Sequence, residues 1–386
     1  MTRVNRHPDQ YNELIVTDRE NICKCGVPGF PIRGRFIDDM NLASLAAAVY
    51  LEFRPPCDKM AQSRFSEDEF AMTHFIRTVT GDISPEQLGV TQPHEHTIIL
   101  PGKSCEVNPA LLLDSPECAI QELSDYKAAD GTSIVDAQPI GVERSPLLMQ
   151  EISIQSGVQI VASTGFHRPR FYPADHFLFS ETAEQLAQRM VNEITDGMVD
   201  YSTGKQTSVK AGLVKWTSEY HHIPPVMQKA AEAAAIAHHQ TGVPILTHTE
   251  MGTCTLEQIA LMEQHGVSPS AILLSHTDRN PDRYLHKEIA QTGAYLIYDG
   301  VARTKHGPDS IIIDLIVTMF NEGLGDQIMV AMDTGSRTIW RHYGYGPGLA
   351  YLLNVFIPRL KRTGFSDDNV QRILRGNPAS ALRFRR

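Results

Sequence analysis

VPILTH at residues 243–248 and AILLSH at residues 271–276 are two short apolar runs, each ending on a histidine. Runs this short and this continuous suit strands buried on both faces, as in a parallel sheet. Six more runs of the same kind follow residue 87: Leu88–Pro93, Ser133–Ala137, Val158–Ser163, Ala211–Lys215, Ala294–Tyr298 and Gln327–Met332. Helix signals lie between them. Thr182 to Gln185 (TAEQ) is a capping box ahead of a stripe made by Leu186, Met190 and Ile194. Pro225 suits a first helical turn and Gly242 a stop, and Thr255 to Gln258 opens a further helix that closes near Gly266. Eight strands alternating with helices over roughly 300 residues predict an α/β fold, a (β/α)8 TIM barrel. A doubly wound open sheet is the alternative. It wants a glycine-rich phosphate turn after the first strand, and GVTQPHEH at 89–96 is not one.

The chain upstream reads differently. Residues 1–71 carry Pro8, Pro28, Pro31, Pro55 and Pro56 and hold no sustained period beyond an Ala-rich piece near residues 40–53. The expectation is an irregular N-terminal extension over 1–71 and a barrel over 72–386, with the extension disordered, an artefact of start-site choice, or an oligomer contact. A homodimer is compatible with this reading.

The 386 residues are 42% apolar and 21% charged, close to globular averages, which excludes a disordered chain, a collagen-like repeat and a coiled coil. No run approaches the ~18 apolar residues of a membrane span, and the apolar Leu42–Leu51 stretch starts late, behind Asp38 and Asp39, unlike a secretory signal. A net charge of −10 favours neither nucleic acid nor an anionic membrane as a partner. The six cysteines (Cys23, Cys25, Cys57, Cys105, Cys118 and Cys254) have no framework spacing, so the expected compartment is the reducing cytoplasm.

The polar residues at the run ends carry the chemistry. The first run leads into His94-Glu95-His96, and side chains two apart on an extended chain point the same way. The fourth run ends in Lys215, the fifth in His248, the sixth in His276 and the eighth in Asp333. In a parallel barrel all strand C-termini open on one face, so six ligand-type side chains from five strands converge there. The other histidines, among them His221, His222, His238, His239, His265 and His342, sit in loops or on helix faces, where a histidine is ordinarily solvated or structural. His167 and His306 are intermediate, since both follow strands.

With HxH on strand one, Lys on four, His on five and six and Asp on eight, the chain resembles the amidohydrolase superfamily with a two-metal centre. The segments GDISPEQLGVTQPHEH, VDAQPIGVERSP, STGFHRPRFYP, SHTDRNPD, YDG, GPGLAYLLNVFIPRL and GNPASAL narrow this to the phosphotriesterase-related family, over about residues 75–384. GFHRPRFYP and YDGVARTKHG look most like members that hydrolyse phosphorylated sugar lactones. The resemblance implies that His94 and His96 bind a more buried metal and His248 and His276 a more exposed one. It implies that Lys215, carboxylated by CO2, bridges the two, and that Asp333 touches the buried metal and handles the proton of a bridging hydroxide. The chemistry agrees: an ammonium cannot ligate a cation, whereas a carbamate is an anionic two-oxygen ligand able to span two divalent ions. The nitrogen and oxygen ligand set suits Zn2+ first, with Mn2+, Co2+ or Fe2+ also fitting.

Arg168, Arg170, Tyr172, Arg279, Arg303, Lys305 and Arg337 follow strands three, six, seven and eight. In an acidic protein this cationic and phenolic set points to a small anionic substrate such as a phosphate. The resemblance places Tyr172, Arg279, Arg303 and Lys305 near the phosphate of lactone-phosphate substrates, and Arg337 joins them as a candidate substrate residue. The expected activity is a lactonase. Hydrolysis of phosphotriesters, aryl esters or amides is the alternative, as is a catalytically silent metal-binding barrel. A one-metal deaminase would not need Lys215.

Overall fold

A computed structural model describes residues 74–385. The expected extension, 1–71, lies outside the described residues. A short antiparallel hairpin comes first, β1 (Ile76–Thr78) with β2 (Gly81–Ile83). Eight strands follow: β3 (Thr91–Glu95), β4 (Ser133–Asp136), β5 (Gln159–Gly165), β6 (Leu213–Thr217), β7 (Ile245–His248), β8 (Ile272–Ser275), β9 (Tyr295–Tyr298) and β10 (Ile328–Val330). They form one sheet in sequence order, every neighbouring pair parallel. This is the (β/α)8 barrel. Its seam, between β3 and β10, is held by Asp333 N donating to His94 O at 3.1 Å and by the Glu95 carboxylate. Glu95 accepts from Met332 N at 2.7 Å, Thr334 N at 2.9 Å and Thr334 Oγ1 at 2.6 Å.

Two features differ from the sequence reading. The hairpin was not expected; its three-residue strands are too short to show a period. The first strand starts at Thr91 rather than Leu88, because Pro85–Leu88 is a helical turn with a capping box from Ser84 and Gln87. Gly89 then reverses the chain at φ 67°. The helices expected at 182, 225 and 255 run over Ala183–Thr195, Pro225–Thr241 and Thr255–Gln264.

Alternation along the strands sorts the core into two clusters. Val135, Val161, Leu213, Leu246, Leu273, Ile297 and Met329 fill the barrel interior. Ile134, Ile160, Val214, Ile245, Ile272, Leu296 and Ile328 pack outward beneath the helices. Because the period is two, residues two beyond the interior layer face the mouth: Lys215 beyond Leu213, His248 beyond Leu246 and Asp299 beyond Ile297. Gly165 lets β5 and β6 approach there, since a Cβ on it would sit 2.0 Å from Lys215 O at a backbone φ of 91°. The opposite end is apolar, with Ile76, Leu88, Ala381 and Leu382 closing the interior. Phe75 stacks on Phe384 at 4.5 Å, and Phe384 N donates to Phe75 O. No described helix is long and apolar enough to cross a membrane.

Candidate active site

The strand C-termini open on a cavity of about 260 Å³ lined by His94, His96, Lys215, His248, His276 and Asp333, so the six expected ligand residues share one space. Their donor atoms fall into two groups. His94 Nε2 and His96 Nε2 lie 4.0 and 3.5 Å from Asp333 Oδ1. His248 Nδ1 faces His276 Nε2 at 2.9 Å. Two of the far nitrogens are hydrogen-bonded to carboxylates, His276 Nδ1 to Asp299 Oδ1 at 2.7 Å and His248 Nε2 to Glu250 Oε2 at 2.8 Å, while His94 Nδ1 lies 3.0 Å from Asp299 Oδ2. Imidazoles anchored on one side with the other nitrogen turned to a shared point are the arrangement metal ligands adopt. His94, His96 and Asp333 form one cluster able to hold a cation, and His94, His276 and Asp299 another.

Burial pushes His248 down to about 4, so its ring is neutral near pH 7 and has a lone pair to give. Burial also pushes Lys215 down to about 8, against the pull of Asp333, Asp136 and Asp299. A lysine in that range has free amine to react with CO2. Its Nζ donates to Ala137 O at 2.8 Å. Burial opposes ionisation of Asp333, but Arg303, His96, His276 and Arg279 overcome it and hold the carboxyl well below its usual range.

Two ligand-type residues sit in strained backbone. His276 has φ 63° and Asp333 φ 48°. Strict alternation from Leu273 would point Ser275, not His276, at the mouth; the left-handed turn brings the His276 ring in. Such conformations cost about 1–3 kcal/mol and cluster at functional sites.

Of the residues expected to meet substrate, Arg279, Arg303 and Lys305 line the cavity. The two arginines turn onto Asp333: Arg279 Nη2 donates to Oδ2 at 2.6 Å, and Arg303 Nη1 lies 2.9 Å from the same oxygen and donates to the Asp333 carbonyl. Lys305 is exposed and makes no ion pair among the described residues, and neither does Arg170, which also lines the mouth. Tyr172 does not line the cavity. It is buried, donating its hydroxyl proton to Ile140 O at 3.0 Å and accepting from His167 N at 2.7 Å, so it braces the loop after β5. Arg337 also lies off the lining, with its guanidinium over the Tyr343 ring at 4.6 Å. His167 and His306 do line it; His221, His222, His238, His239, His265 and His342 do not. A larger cavity of about 710 Å³, beside Glu143, His176 and Tyr201, shares none of these ligands, so size alone does not mark the site.

Asp299 and Glu250 are not among the site residues expected from the sequence. Asp299 follows the run Ala294–Tyr298, so the rule that found the other strand-end residues, applied to the seventh strand, would have found it. Glu250 lies two residues beyond His248 in a loop turn, where no strand pattern reaches.

The fold and the ionisable cluster at its strand ends define a barrel hydrolase of the amidohydrolase type. The chain belongs to the phosphotriesterase family, whose model matches residues 74–382. A phospho-furanose lactonase of Mycoplasmopsis synoviae is 35% identical over 324 residues, 80% of this chain and 92% of that protein. The crystal structure of a lactonase from Listeria monocytogenes superposes with a TM-score of 0.75 at 36% identity, covering 81% of this chain and 100% of that one. The phosphotriesterase homology protein of Escherichia coli, solved with phosphate in its active site, gives 0.72 at 31% identity, covering 77% of this chain and 99% of that one. The protein is accordingly an enzyme, a hydrolase of ester bonds.

Proposed function

We propose that the protein is a binuclear-metal lactonase that opens phosphorylated sugar lactones. The observation that carries this reading is the pairing of donor atoms around Lys215: His94, His96 and Asp333 on one side, and the facing nitrogens of His248 and His276 on the other. The donor set fits two divalent ions, Zn2+ first, with a carbamate on Lys215 as the shared anion. When bound, the ions would supply an activated water and polarise the lactone carbonyl.

The chain's own groups have distinct tasks. Asp333 is ionised and receives the proton of the attacking water at a carboxylate oxygen. Arg279 and Arg303 fix that carboxylate and keep its affinity for the proton low, so it can release the proton to the leaving alkoxide. Lys305, exposed at the mouth and without an ion pair among the described residues, binds the phosphate. Binding energy drawn from that remote group orients the ring and raises the rate of the chemical step. The relatives named as phospho-furanose lactonases and the phosphate bound to the Escherichia coli homologue support an anionic substrate. Cys105, Cys118 and Cys254 are free thiols, which fits a cytoplasmic enzyme.

The test is a hydrolysis screen of sugar lactones, each with and without a phosphate, after loading with Zn2+ and bicarbonate. Phosphorylated furanose lactones are expected to exceed both their unphosphorylated analogues and neutral phosphotriesters by orders of magnitude. A preference for neutral triesters overturns the lactonase reading.

A further inference from the structure

Arg168 belongs to the cationic set from which the sequence argues for an anionic substrate, yet its surroundings assign it other work. It follows β5, is 6% exposed, and its guanidinium is shared between two carboxylates on the next two loops. Nε donates to Glu219 Oε2 at 2.8 Å and Nη2 donates to the same oxygen, while Nη1 donates to Glu250 Oε2. Its donors are thus taken up by the two carboxylates rather than turned to a substrate. Glu250 Oε2, the oxygen that Arg168 holds, is also the one 2.8 Å from His248 Nε2. The backbone at Glu250 is pinned in turn. Its carbonyl accepts from Thr253 Oγ1 at 2.7 Å, Thr253 Oγ1 accepts from His221 N at 3.0 Å, and Met251 is locked at φ 55°.

We propose that Glu250, clamped by Arg168 and Glu219, is a positioning residue that holds the proton of His248 on Nε2 and aims Nδ1 at the point shared with His276. This rests on the two-metal reading above. A carboxylate that carries no second anchor could swing with its own rotamers. Glu250 cannot, because Arg168 ties three successive strand-end loops, those after β5, β6 and β7, into one rigid frame behind the ring. Losing a hydrogen-bonded partner behind a ligating histidine typically costs 10–100-fold in metal affinity. The effect belongs to the ion bound by His248 and His276, since His94 and His96 take no support from Glu250.

The experiment measures the two stepwise Zn2+ dissociation constants of the full-length protein by chelator competition, with thermal melting of each variant as a check on folding. Glu250→Ala is expected to weaken one of the two ions about 10- to 100-fold and leave the other unchanged. Glu250→Gln keeps an oxygen that can accept from Nε2–H and is expected to restore most of that affinity. Arg168→Ala is expected to weaken the same ion by a smaller factor, and it carries the test if Glu250→Ala does not fold. Unchanged constants in Glu250→Ala, or in Arg168→Ala where that variant is the one that folds, overturn the positioning role. Equal weakening of both ions does so too. A wild-type protein that binds fewer than two ions overturns the two-metal reading instead, so the two failures are told apart.

Discussion

The two ends of the barrel are built from the same eight strands and differ in almost every physical respect. At the strand C-termini, His94, Lys215, His276, Asp299 and Asp333 are buried together, and His276 and Asp333 take left-handed backbone. At the other end Ile76, Leu88, Ala381 and Leu382 meet with no ionisable group among them, and the hairpin and the C-terminal helix Asn377–Leu382 close it. Burying charge and strain destabilises a fold, and burying aliphatic surface stabilises it. One end therefore bears the cost of the chemistry and the other supplies the cohesion that offsets it, as is general for this barrel architecture. Substitutions at the two ends should separate activity from stability.

The largest effect is expected from Lys215→Ala. It removes the shared anion of the proposed metal pair, and hydrolysis should fall by about a thousandfold or more, the scale on which removing a central electrostatic group acts. Metal content should drop with it, read by elemental analysis. The metal-free protein should still fold, read by thermal melting, at a somewhat lower melting temperature because Ala137 O loses its donor and Asp299 and Asp333 lose a neighbouring amine. Full turnover with two tightly held ions would erase the distinction drawn for this end.

Leu88→Ala should do the reverse. Leu88 is fully buried in the interior cluster at the closed end, and its truncation should cost about 2–5 kcal/mol in denaturant unfolding. kcat and metal content should not change. A loss of activity with stability intact would show that the ends are coupled.

Lys305→Ala sharpens the comparison within the active end. One charge-assisted hydrogen bond contributes about 1.5–3 kcal/mol, roughly 10- to 150-fold. That loss should appear in kcat/KM for a phosphorylated lactone and be nearly absent for the unphosphorylated analogue. Equal losses on the matched pair would remove Lys305 from substrate selection.

The smallest effect is expected from starting the chain at Met72. We propose that residues 72–386 are a self-sufficient barrel, because Phe75, whose carbonyl and ring meet Phe384, lies just inside that boundary. Activity and melting temperature should match the full chain. Starting instead at Ile76 removes this contact and should lower the melting temperature. An insoluble Met72 variant would show that the extension packs on the barrel.

The barrel was legible because its eight strands are buried on both faces and so appear as isolated apolar runs, each followed by a polar residue. Lys215, His248 and Asp333 could be read from that pattern, since a strand fixes the side a residue faces two places on. The hairpin β1–β2 is not legible, being too short for a period, and Leu88 reads as part of the first strand because an apolar residue in a capped turn looks the same as one in a strand.

Run ends and residue types are one-dimensional facts, and the sequence by itself determined the alternating architecture and the stock of ligand-type residues at one end of it. Only the tertiary structure decided how they pair. It set Asp299 between His94 and His276, and it turned Arg279 and Arg303 onto Asp333 while leaving Lys305 at the mouth. It also spent Tyr172 on backbone partners, stood Arg337 against Tyr343, and placed Glu250 behind His248. The reason is that charge and hydrogen-bond partnership depend on distances across the barrel between residues tens of positions apart. No local pattern encodes which of several arginines a given carboxylate will meet.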